Sequence, residues 1–400
     1  MLRVIRAMVG LFCVISSVDA ADWPNWRGPS HNGISSESGW RWQWSDSPRI
    51  LWSGQLGKGF ASMAVCDGKV YAMGNTGGQD VIYCLDALTG KEVWLYSYPC
   101  ELYDQLHEGG PCATPTVDGQ RVYTLSKAGD ALCLDAAAGK LIWRKNLVSE
   151  FGIKLPQWHL AGSPFIYGEL VIYNAGTWGL ALDKSDGSSV WQSGKEVCGY
   201  ATAVVGMVGG RETLVLVGSS EVFGVEPRTG RLLWRYPWKT DWDINAADPI
   251  VANGMVFVSS GYNKGCALLK VEGDRVEPVW SNRAMRNHIN SSVLWDGYIY
   301  GFDGQVGGGG MLACVEFSTG KSMWTASGMG AGSLLLADGK LIILSEQGKL
   351  VIAEASPKGF KELASAQILD GKCWTCPVLA NGLLYARNAQ GRIVCVDLRQ

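Results

Sequence analysis

The stretch Asp86-Ala-Leu-Thr-Gly90-Lys-Glu-Val-Trp94 decides the fold of this chain, because it recurs along almost the whole length. In each copy an acidic residue lies four positions before a glycine, and a tryptophan lies four positions after it. The further copies occupy residues 135–143, 183–191, 226–234 and 316–324. Self-similarity at a fixed period is the signature of a repeat architecture, in which stacked units form one continuous body.

A second signal in every repeat is a short glycine turn between two apolar runs. Asx-Gly in that setting is the strongest short-range hairpin signal. The turns are Asp67-Gly68, Asp118-Gly119, Tyr167-Gly168, Gly209-Gly210, Asn253-Gly254, Asp296-Gly297, Asp338-Gly339 and Asn381-Gly382. Each turn follows an inner-strand start of similar shape, near Ser62, Thr114, Ser163, Thr202, Asp248, Ser292, Ser333 and Cys376. Eight turns predict eight repeats.

Tryptophans close the repeats at Trp94, Trp143, Trp191, Trp234, Trp280 and Trp324, with spacings of 49, 48, 43, 46 and 44 residues. A four-stranded propeller blade takes about 40–45 residues. Leu363 fills the closing position of the seventh repeat, and the eighth repeat stops after residues 394–397, before its fourth strand. The short strand ending at Trp52 has no repeat before it, so it supplies the missing strand.

These features predict an all-β, eight-bladed propeller of four-stranded antiparallel blades. The N- and C-terminal strands share the last blade, and this closure removes the exposed sheet edges that invite aggregation. We expect Trp52 and the six later closing tryptophans to dock each blade onto the next. The motif glycine permits the turn, and the acidic residue is expected to accept the hydrogen bonds of turn amides.

The N-terminal residues predict export. Residues 1–20 read as a cleaved signal peptide, with Arg3 and Arg6 before an apolar run that is too short to span a bilayer. Phe12 before Cys13 argues against a lipid anchor. We therefore expect a periplasmic or secreted protein without a transmembrane segment. Residues 21–48, with five tryptophans, are predicted to form an aromatic arm that covers apolar surface, and residues 49–400 form the propeller.

Composition excludes some functions and narrows others. The 35 Lys+Arg nearly balance the 37 Asp+Glu, which argues against nucleic acid as a partner because its binders carry a basic excess. Cys84, Cys133, Cys314 and Cys395 share one repeat position and are predicted to be small buried hydrophobes. An oxidising compartment also permits the local disulfides Cys100–Cys112 and Cys373–Cys376, and the sequence leaves both pairings open.

The repeats resemble the tryptophan-docking repeats of the pyrroloquinoline quinone (PQQ) family of eight-bladed propellers, through the pattern Ala-x-Asp-x-x-Thr-Gly-x-x-x-Trp kept best at residues 84–94. Residues 23–29, Trp-Pro-Asn-Trp-Arg-Gly-Pro, also resemble the start of secreted bacterial PQQ-like repeat proteins. The resemblance implies one of two functional kinds. Quinoprotein alcohol dehydrogenases bind PQQ and calcium at the top of the funnel. Non-catalytic scaffolds include the lipoprotein of the outer-membrane β-barrel assembly machinery.

Sequence features favour the scaffold over the enzyme. The adjacent Cys-Cys pair that stacks on the quinone in the dehydrogenases is absent here. No segment matches their calcium ligands or their aspartate base. We therefore expect a non-catalytic scaffold that binds an envelope protein or an extracellular ligand, with no catalytic residue and no cofactor. The alternative is a PQQ-dependent alcohol or sugar oxidoreductase, with PQQ and calcium at the funnel mouth.

Loops between blades are predicted to cover one face of the ring, over residues 98–111, 147–162, 235–246 and 281–290. The ligand-binding candidates on this face are Glu108, His159, Tyr200, Asn245, His288, Asn290 and Trp374. Tyr200, Asn290 and Trp374 each lie two residues before an inner strand, so they are expected to point towards the axis. Aromatic and polar residues at a propeller mouth suit a sugar, a peptide or a planar ligand. The competing interpretation is that they only pack the loops onto the barrel.

Three further patterns have a structural interpretation. A metal site at His107, His159 and His288 requires these histidines to converge, which their spacing does not show, so no metal is assigned. Residues 373–376, Cys-Trp-Thr-Cys, open an inner strand and lack the strand–helix context of a redox motif. The glycine run at residues 307–310 has no helix after it, so it predicts a hairpin loop and not a phosphate cradle.

Overall fold

The computed structural model describes residues 21–400, and the predicted signal peptide lies outside them. This part of the chain forms 33 strands and a single short 3-10 helix. The strands make eight sheets of four antiparallel strands each, and one of these sheets has a fifth, parallel strand added from the arm. The prediction of an eight-bladed all-β propeller is confirmed. Within residues 21–400 no helix has the length and apolarity needed to cross a membrane.

Two strands precede the first complete blade, β1 (Ile34–Ser35) in the arm and β2 (Arg49–Gln55). The first blade comprises β3 (Ala64–Cys66), β4 (Lys69–Thr76), β5 (Gln79–Asp86) and β6 (Glu92–Pro99). The second comprises β7 (Thr116–Asp118), β8 (Arg121–Leu125), β9 (Asp130–Asp135) and β10 (Leu141–Asn146). The third comprises β11 (Phe165–Tyr167), β12 (Leu170–Tyr173), β13 (Leu180–Asp183) and β14 (Ser189–Gln192). The fourth comprises β15 (Val204–Val208), β16 (Arg211–Val217), β17 (Glu221–Val225) and β18 (Leu232–Pro237).

The 3-10 helix η1 (Asp241–Asp243) lies in the loop that follows the fourth blade. The fifth blade comprises β19 (Ile250–Ala252), β20 (Met255–Ser260), β21 (Gly265–Glu272) and β22 (Arg275–Asn282). The sixth comprises β23 (Val293–Trp295), β24 (Tyr298–Asp303), β25 (Met311–Glu316) and β26 (Ser322–Ala326). The seventh comprises β27 (Ser333–Ala337), β28 (Lys340–Leu344), β29 (Lys349–Glu354) and β30 (Glu362–Gln367). The eighth begins with β31 (Val378–Ala380), β32 (Leu383–Arg387) and β33 (Arg392–Asp397).

The eighth blade is completed by the N-terminal strand, as the sequence predicts. Strand β2 pairs antiparallel with β33, with Arg49 opposite Asp397 and Trp52 opposite Cys395. The sheet order is β2-β33-β32-β31, so the outermost strand comes from the beginning of the propeller and the other three from its end. Both ends of the propeller are thereby held in one sheet, and the ring has no open strand edge between its first and last blades.

A row of three side chains explains the repeated cysteine. Cys84 lies opposite Tyr71 on one neighbouring strand and opposite Trp94 on the other. The same row recurs as Tyr123–Cys133–Trp143, Tyr300–Cys314–Trp324 and Tyr385–Cys395–Trp52. All four cysteines are buried, which confirms the predicted packing role. Burial raises the pKa of the Cys84 thiol to about 11, so these thiols stay protonated and unreactive near neutral pH.

The tryptophans dock blades in the predicted manner. The Trp94 indole nitrogen donates a hydrogen bond of 3.0 Å to the carbonyl of Ala136 in the next blade. Its ring covers Gly139, where an added Cβ would lie 2.6 Å from the indole. The Asp86 carboxylate accepts hydrogen bonds from the amides of Leu88 and Thr89. The corresponding indole bonds run from Trp52 to Ala87, Trp143 to Lys184, Trp191 to Pro227, Trp280 to Phe317 and Trp324 to Ser356.

Two interfaces depart from this docking pattern, and each departure has a local cause. The fifth blade joins its outer strands by a tight hairpin at residues 272–275, which lacks the motif turn. The indole nitrogen of Trp234 on the preceding blade is therefore buried without a hydrogen-bond partner. The eighth blade has no turn after β33, and here Leu363 replaces the tryptophan. The arm occupies this interface instead, since Trp44 donates to the carbonyl of Ser365 at 3.2 Å.

The arm crosses the base of the ring, which is the face that carries the docking turns. Trp23 forms an antiparallel bridge with Val65 of the first blade. Strand β1 pairs in parallel with β27 of the seventh blade. The Glu37 carboxylate accepts hydrogen bonds from the backbone amides of Asn381 and Gly382 in the eighth blade. The arm thus ties together blades that are far apart in sequence and closes the lower end of the axis.

Candidate ligand cavity on the propeller axis

A belt of hydrogen bonds surrounds the axis at the starts of the inner strands. Thr114 Oγ1 accepts a hydrogen bond from the amide of Ser62 in the preceding blade, at 3.1 Å. Seven further hydrogen bonds between neighbouring blades continue the belt. Written with the donor residue first, they are Thr114 to Ser163, Ser163 to Thr202, Thr202 to Asp248, Asp248 to Ser291, Asn290 to Gly332, Ser333 to Thr375 and Ser62 to Cys376. The recurring Ser/Thr at this position therefore links each blade to its neighbours and fixes the width of the axial opening.

An ion pair from the arm closes the opening below the belt. Arg27 is buried, and its Nε lies 3.6 Å from the Asp248 carboxylate. The same guanidinium donates to the carbonyls of Asn32 and Ser292, at 2.9 and 2.6 Å. The indole nitrogen of Trp26 donates to Asp248 at 2.6 Å. Trp26 and Asp248 consequently form the floor of a cavity that the loops surround above.

The cavity has a volume of about 490 Å³, within the range of small-molecule sites. An arc of four aromatic rings forms one wall. Phe60 stacks on Trp374 with ring centroids 5.4 Å apart, and its edge meets His107 at 5.4 Å. His107 in turn lies 5.5 Å from Trp158. The opposite wall includes Tyr262 and His288, whose centroids are 5.0 Å apart.

Four of the seven sequence-predicted ligand residues line this cavity, namely Tyr200, His288, Asn290 and Trp374. The Tyr200 hydroxyl accepts a hydrogen bond from the amide of Trp158 at 3.2 Å. The indole nitrogen of Trp374 donates to Glu346 at 2.9 Å. Asn290 donates its amide to Gly332 at 3.0 Å. These contacts hold the lining side chains in place, and their binding of a ligand remains a prediction.

The other three candidates lie outside the lining, and each has a partner that explains its position. Glu108 forms an ion pair of 2.9 Å with Lys372, whose ammonium also lies over the Trp374 ring. His159 stacks on Tyr103 with centroids 4.1 Å apart. Asn245 is fully buried and donates to the carbonyls of Gly218, Ser219 and Trp238. Asn245 therefore holds loop backbone together, and its amide is not turned to the cavity.

Lys127 is a lining residue that the sequence argument missed. It lies in the loop between β8 and β9 and is only 4% exposed. Its ammonium has no hydrogen-bond partner among residues 21–400 and lies over the Tyr103 ring, 5.6 Å from the ring centroid. The motif signals gave no reason to single out this loop, because it belongs to the face opposite the docking turns.

The histidines of the cavity are neutral near pH 7. Burial, together with the nearby cations Lys127 and Lys372, lowers the pKa of His107 to about 4. Burial alone lowers the pKa of His288 to about 4. Neutral imidazoles leave Lys127 and the Arg27–Asp248 pair as the charged groups of the lining and its floor.

Metal-ligand geometry occurs elsewhere in the described chain. Within residues 21–400, the group of His, Cys, Asp and Glu side chains close enough to share an ion is Asp22, Cys66 and Asp67, at the base of the ring. Asp22 already accepts hydrogen bonds from the amide of Asp67 and the side chain of Asn381, which fastens the arm. The histidines His107, His159 and His288 do not form such a group.

The remaining cysteines and the glycine run have the following places in the fold. All eleven cysteines in residues 21–400 are free thiols, including Cys100, Cys112, Cys373 and Cys376. Burial raises the pKa of Cys373 and of Cys376 to about 12. The glycine run at 307–310 lies in the loop between β24 and β25, as the sequence predicts, and part of it borders the cavity.

Known proteins resemble this chain in sequence. A family model described as outer membrane protein assembly factor BamB matches residues 101–326. The BamB of Yersinia pestis is 21% identical over 370 residues, covering 88% of this chain and 79% of that protein. The BamB of Xanthomonas campestris is 36% identical over 111 residues, covering 25% of this chain. A 1-butanol dehydrogenase (quinone) of Thauera butanivorans is 29% identical over 151 residues, covering 33% of this chain. The last two matches span only 26% and 22% of those relatives.

Solved structures share the fold at low sequence identity. BamB from Moraxella catarrhalis superposes with a TM-score of 0.61 at 15% identity, covering 87% of this chain and 97% of that one. The quinohemoprotein alcohol dehydrogenase from Comamonas testosteroni superposes with a TM-score of 0.70 at 13% identity, covering 95% and 81%. Both functional kinds named by the sequence resemblance therefore have this architecture, and the fold does not choose between them.

Proposed function

Since this chain belongs to the family described as outer membrane protein assembly factor BamB, we propose that it acts as a non-catalytic interaction scaffold in the cell envelope. The protein is exported, remains in the periplasm or is secreted, and binds an envelope protein through its loop-covered face. The names of its relatives support a role in outer-membrane protein assembly. The base of the ring is occupied by the arm, which leaves the loop face as the accessible end.

The observation that carries this proposal is a pair of exposed apolar side chains on the loop face. Leu106 is 89% exposed and Trp242 is 67% exposed. Both have left-handed backbones, with φ values of 65° and 66°. Large L-residues rarely adopt that conformation, so the surrounding loop must hold them there. Exposed tryptophan on a fixed backbone is typical of the anchors that dominate protein interfaces.

Buried hydrogen bonds hold the loop that presents Trp242. Asn245 accepts a hydrogen bond of 2.7 Å from Ser260 while its own amide binds three backbone carbonyls. Trp238 donates to the same Ser260 hydroxyl at 2.9 Å. Thr240 donates to the carbonyl of Ile244 at 3.0 Å, which closes the short turn around Trp242. A loop held in this way keeps its shape before a partner binds, so less conformational entropy is lost on binding.

The test is genetic complementation in cells of the source organism from which the gene for this protein has been deleted. We expect such cells to contain less folded outer-membrane protein, measured by heat-modifiable migration on gels. The wild-type chain restores the amount, and the double variant Leu106→Ala/Trp242→Ala does not. Trp295→Ala is the matched control, because Trp295 is an exposed tryptophan at the end of an inner strand, on the base. Unchanged outer-membrane protein in cells without the chain contradicts the proposal.

Direct contact is tested by photocrosslinking. A photoreactive residue at position 242 is expected to crosslink a discrete envelope protein in intact cells, and the same residue at position 295 is not. The Leu106→Ala variant should weaken the crosslink from position 242 while the amount of folded scaffold stays constant. Equal crosslinking from both positions would show that the loop face has no special role.

The alternative is a PQQ-dependent alcohol or sugar oxidoreductase, favoured by the axial cavity and by the quinone-dependent relative. The lining fits a planar molecule, but it does not fit calcium. Among the described lining residues the only carboxylate is Asp248, which already binds Arg27, Trp26 and the amide of Thr202. Purified protein would be mixed with PQQ and calcium and assayed with alcohols and a dye acceptor. Turnover that disappears in Trp374→Ala would establish the enzyme, and no spectral change with PQQ would dismiss it.

A further inference from the structure

The most unusual group in the described chain is the buried ammonium of Lys127. A buried charge is normally paired or hydrogen-bonded, because removing it from water costs several kcal/mol. Lys127 is 4% exposed and has neither an ion pair nor a hydrogen bond within residues 21–400. It lines the axial cavity, where a bound group would be able to reach it.

The same loop in other blades shows that this lysine is not required by the turn. Two residues four positions apart define this loop, because the amide of the first donates to the carbonyl of the second and the amide of the second donates to the side-chain oxygen of the first. These residues are Ser126 and Asp130 in the second blade, Ser345 and Lys349 in the seventh, and Asn388 and Arg392 in the eighth. The residue that follows the first member is Lys127, Glu346 or Ala389. Glu346 is fully engaged, with Trp374 and the amide of Ala331 as donors. Only Lys127 combines charge with the lack of a partner among these three.

A second donor without a partner lies beside Lys127. The indole nitrogen of Trp158 is buried and makes no hydrogen bond within residues 21–400, and Trp158 also lines the cavity. The two residues belong to adjoining loops, because the amide of Leu160 donates to the carbonyl of Lys127 at 3.2 Å. One positive and one neutral donor at the same side of a cavity form a receptor for an oxygen anion.

The rest of the lining does not neutralise this charge. The two cavity histidines are neutral at pH 7 because their pKa values are lowered to about 4. The floor pair of Arg27 and Asp248 is internally compensated at 3.6 Å. The arc of Phe60, Trp374, His107 and Trp158 presents ring faces and edges. The cavity therefore carries one uncompensated positive charge beside an aromatic wall.

We propose that the axial cavity binds a small organic carboxylate, with its carboxylate on Lys127 and Trp158 and a planar apolar body against the aromatic arc. A single negative charge balances the single cation, and the ring walls supply the remaining contact area. Leu106 also lines this cavity whereas Trp242 does not, so the carboxylate site adjoins the surface proposed to face a protein partner. The scaffold would then carry a ligand at the centre of its binding face, which goes beyond the proposed assembly role.

The test uses 2-naphthoate and its neutral counterpart 2-naphthamide as probes, with isothermal titration calorimetry on the purified full chain at pH 7. Wild-type protein is expected to bind the carboxylate more tightly than the amide. Lys127→Met keeps the length of the side chain and removes its charge. It should weaken 2-naphthoate binding by roughly 10- to 100-fold, the range for a charge-assisted hydrogen bond, and leave 2-naphthamide unchanged.

Two further variants separate the site from general effects. Lys127→Ala reproduces the residue that the eighth blade has in the same turn, so it should fold and lose the same preference. Lys69→Met removes a lysine from the base of the ring and should bind both probes as the wild type does. The proposal is overturned if the wild type binds neither probe at millimolar concentration, if it binds both equally, or if Lys127→Met keeps the preference for 2-naphthoate. A water molecule that satisfies Lys127 would produce one of those results.

Discussion

The docking contact between blades can be tested by placing one methyl group beneath a tryptophan. In Gly139→Ala the new Cβ lies 2.6 Å from two atoms of the Trp94 indole. Gly119→Ala is the matched control in the same blade. Both glycines have left-handed backbones, with φ of 67° and 56°, but no heavy atom lies within 4 Å of the Cβ at position 119. The pair thus shares the backbone strain and differs in the contact.

The expected magnitudes follow from these two terms. A left-handed conformation costs an alanine about 1–2 kcal/mol, so Gly119→Ala should lower the free energy of unfolding by that amount. Gly139→Ala carries the same cost and forces the Trp94 ring to move, and overpacking of this kind costs about 1–3 kcal/mol. Its total loss should be about 2–5 kcal/mol. The difference between the two variants reports the docking contact alone.

The assay is urea denaturation followed by far-ultraviolet circular dichroism, with both variants and the wild type at one protein concentration. A change in midpoint at constant slope reports stability, whereas a change in slope reports altered compactness or a broken two-state transition. Equal losses of stability for the two variants would refute the reasoning, because they would show that the Trp94 indole moves away from the added methyl group at no cost in free energy. Trp94 would be a passive cover for the turn in that case.

Three further outcomes follow from the same physical terms. Trp94→Phe should lower the free energy of unfolding in urea by roughly 1–3 kcal/mol more than Trp234→Phe does. The indole of Trp94 donates a hydrogen bond that phenylalanine cannot make, whereas the indole nitrogen of Trp234 has no partner to lose. Equal costs would contradict this. Arg27→Met should cost about 3–5 kcal/mol by leaving Asp248 buried without its cation, and adding Asp248→Ser should recover part of it; a double variant no more stable than the single one would argue against the pair. The contribution of His288 to stability should be complete above pH 6.5 and should decrease as the pH falls towards 4. The folded state lowers the pKa of His288 to about 4, so the unfolded chain takes up a proton at higher pH than the folded chain does. His288→Gln should flatten this slope in a pH series of denaturation midpoints, and an unchanged slope would contradict the prediction.

The architecture of this protein was determined by sequence signals that act locally. The motif at 86–94 contains its own turn, its own acidic acceptor and the tryptophan that docks onto the next blade, so each copy can be recognised without its neighbours. The two irregular repeats were informative as well. Leu363 marks the seventh repeat, and the eighth repeat lacks a fourth strand, which predicted that the strand ending at Trp52 completes the last blade. The predicted loop at the glycine run and the buried repeat cysteines were confirmed for the same reason, since both depend on strand period and turn chemistry.

Only the tertiary structure decided what surrounds the axis. Tyr200, Asn290 and Trp374 were placed in the lining by their distance from an inner strand, which is a periodic property. Lys127 was missed, because the lack of a partner for a charge depends on every segment that meets it. Asn245 was a predicted ligand residue, and its amide donates to the carbonyls of Gly218 and Ser219 between β16 and β17 and of Trp238 in its own loop, contacts that the sequence does not show. The repeat specifies the blades through short-range contacts, whereas the centre is formed where eight blades and the arm converge, and long-range packing alone determines which polar groups are satisfied there.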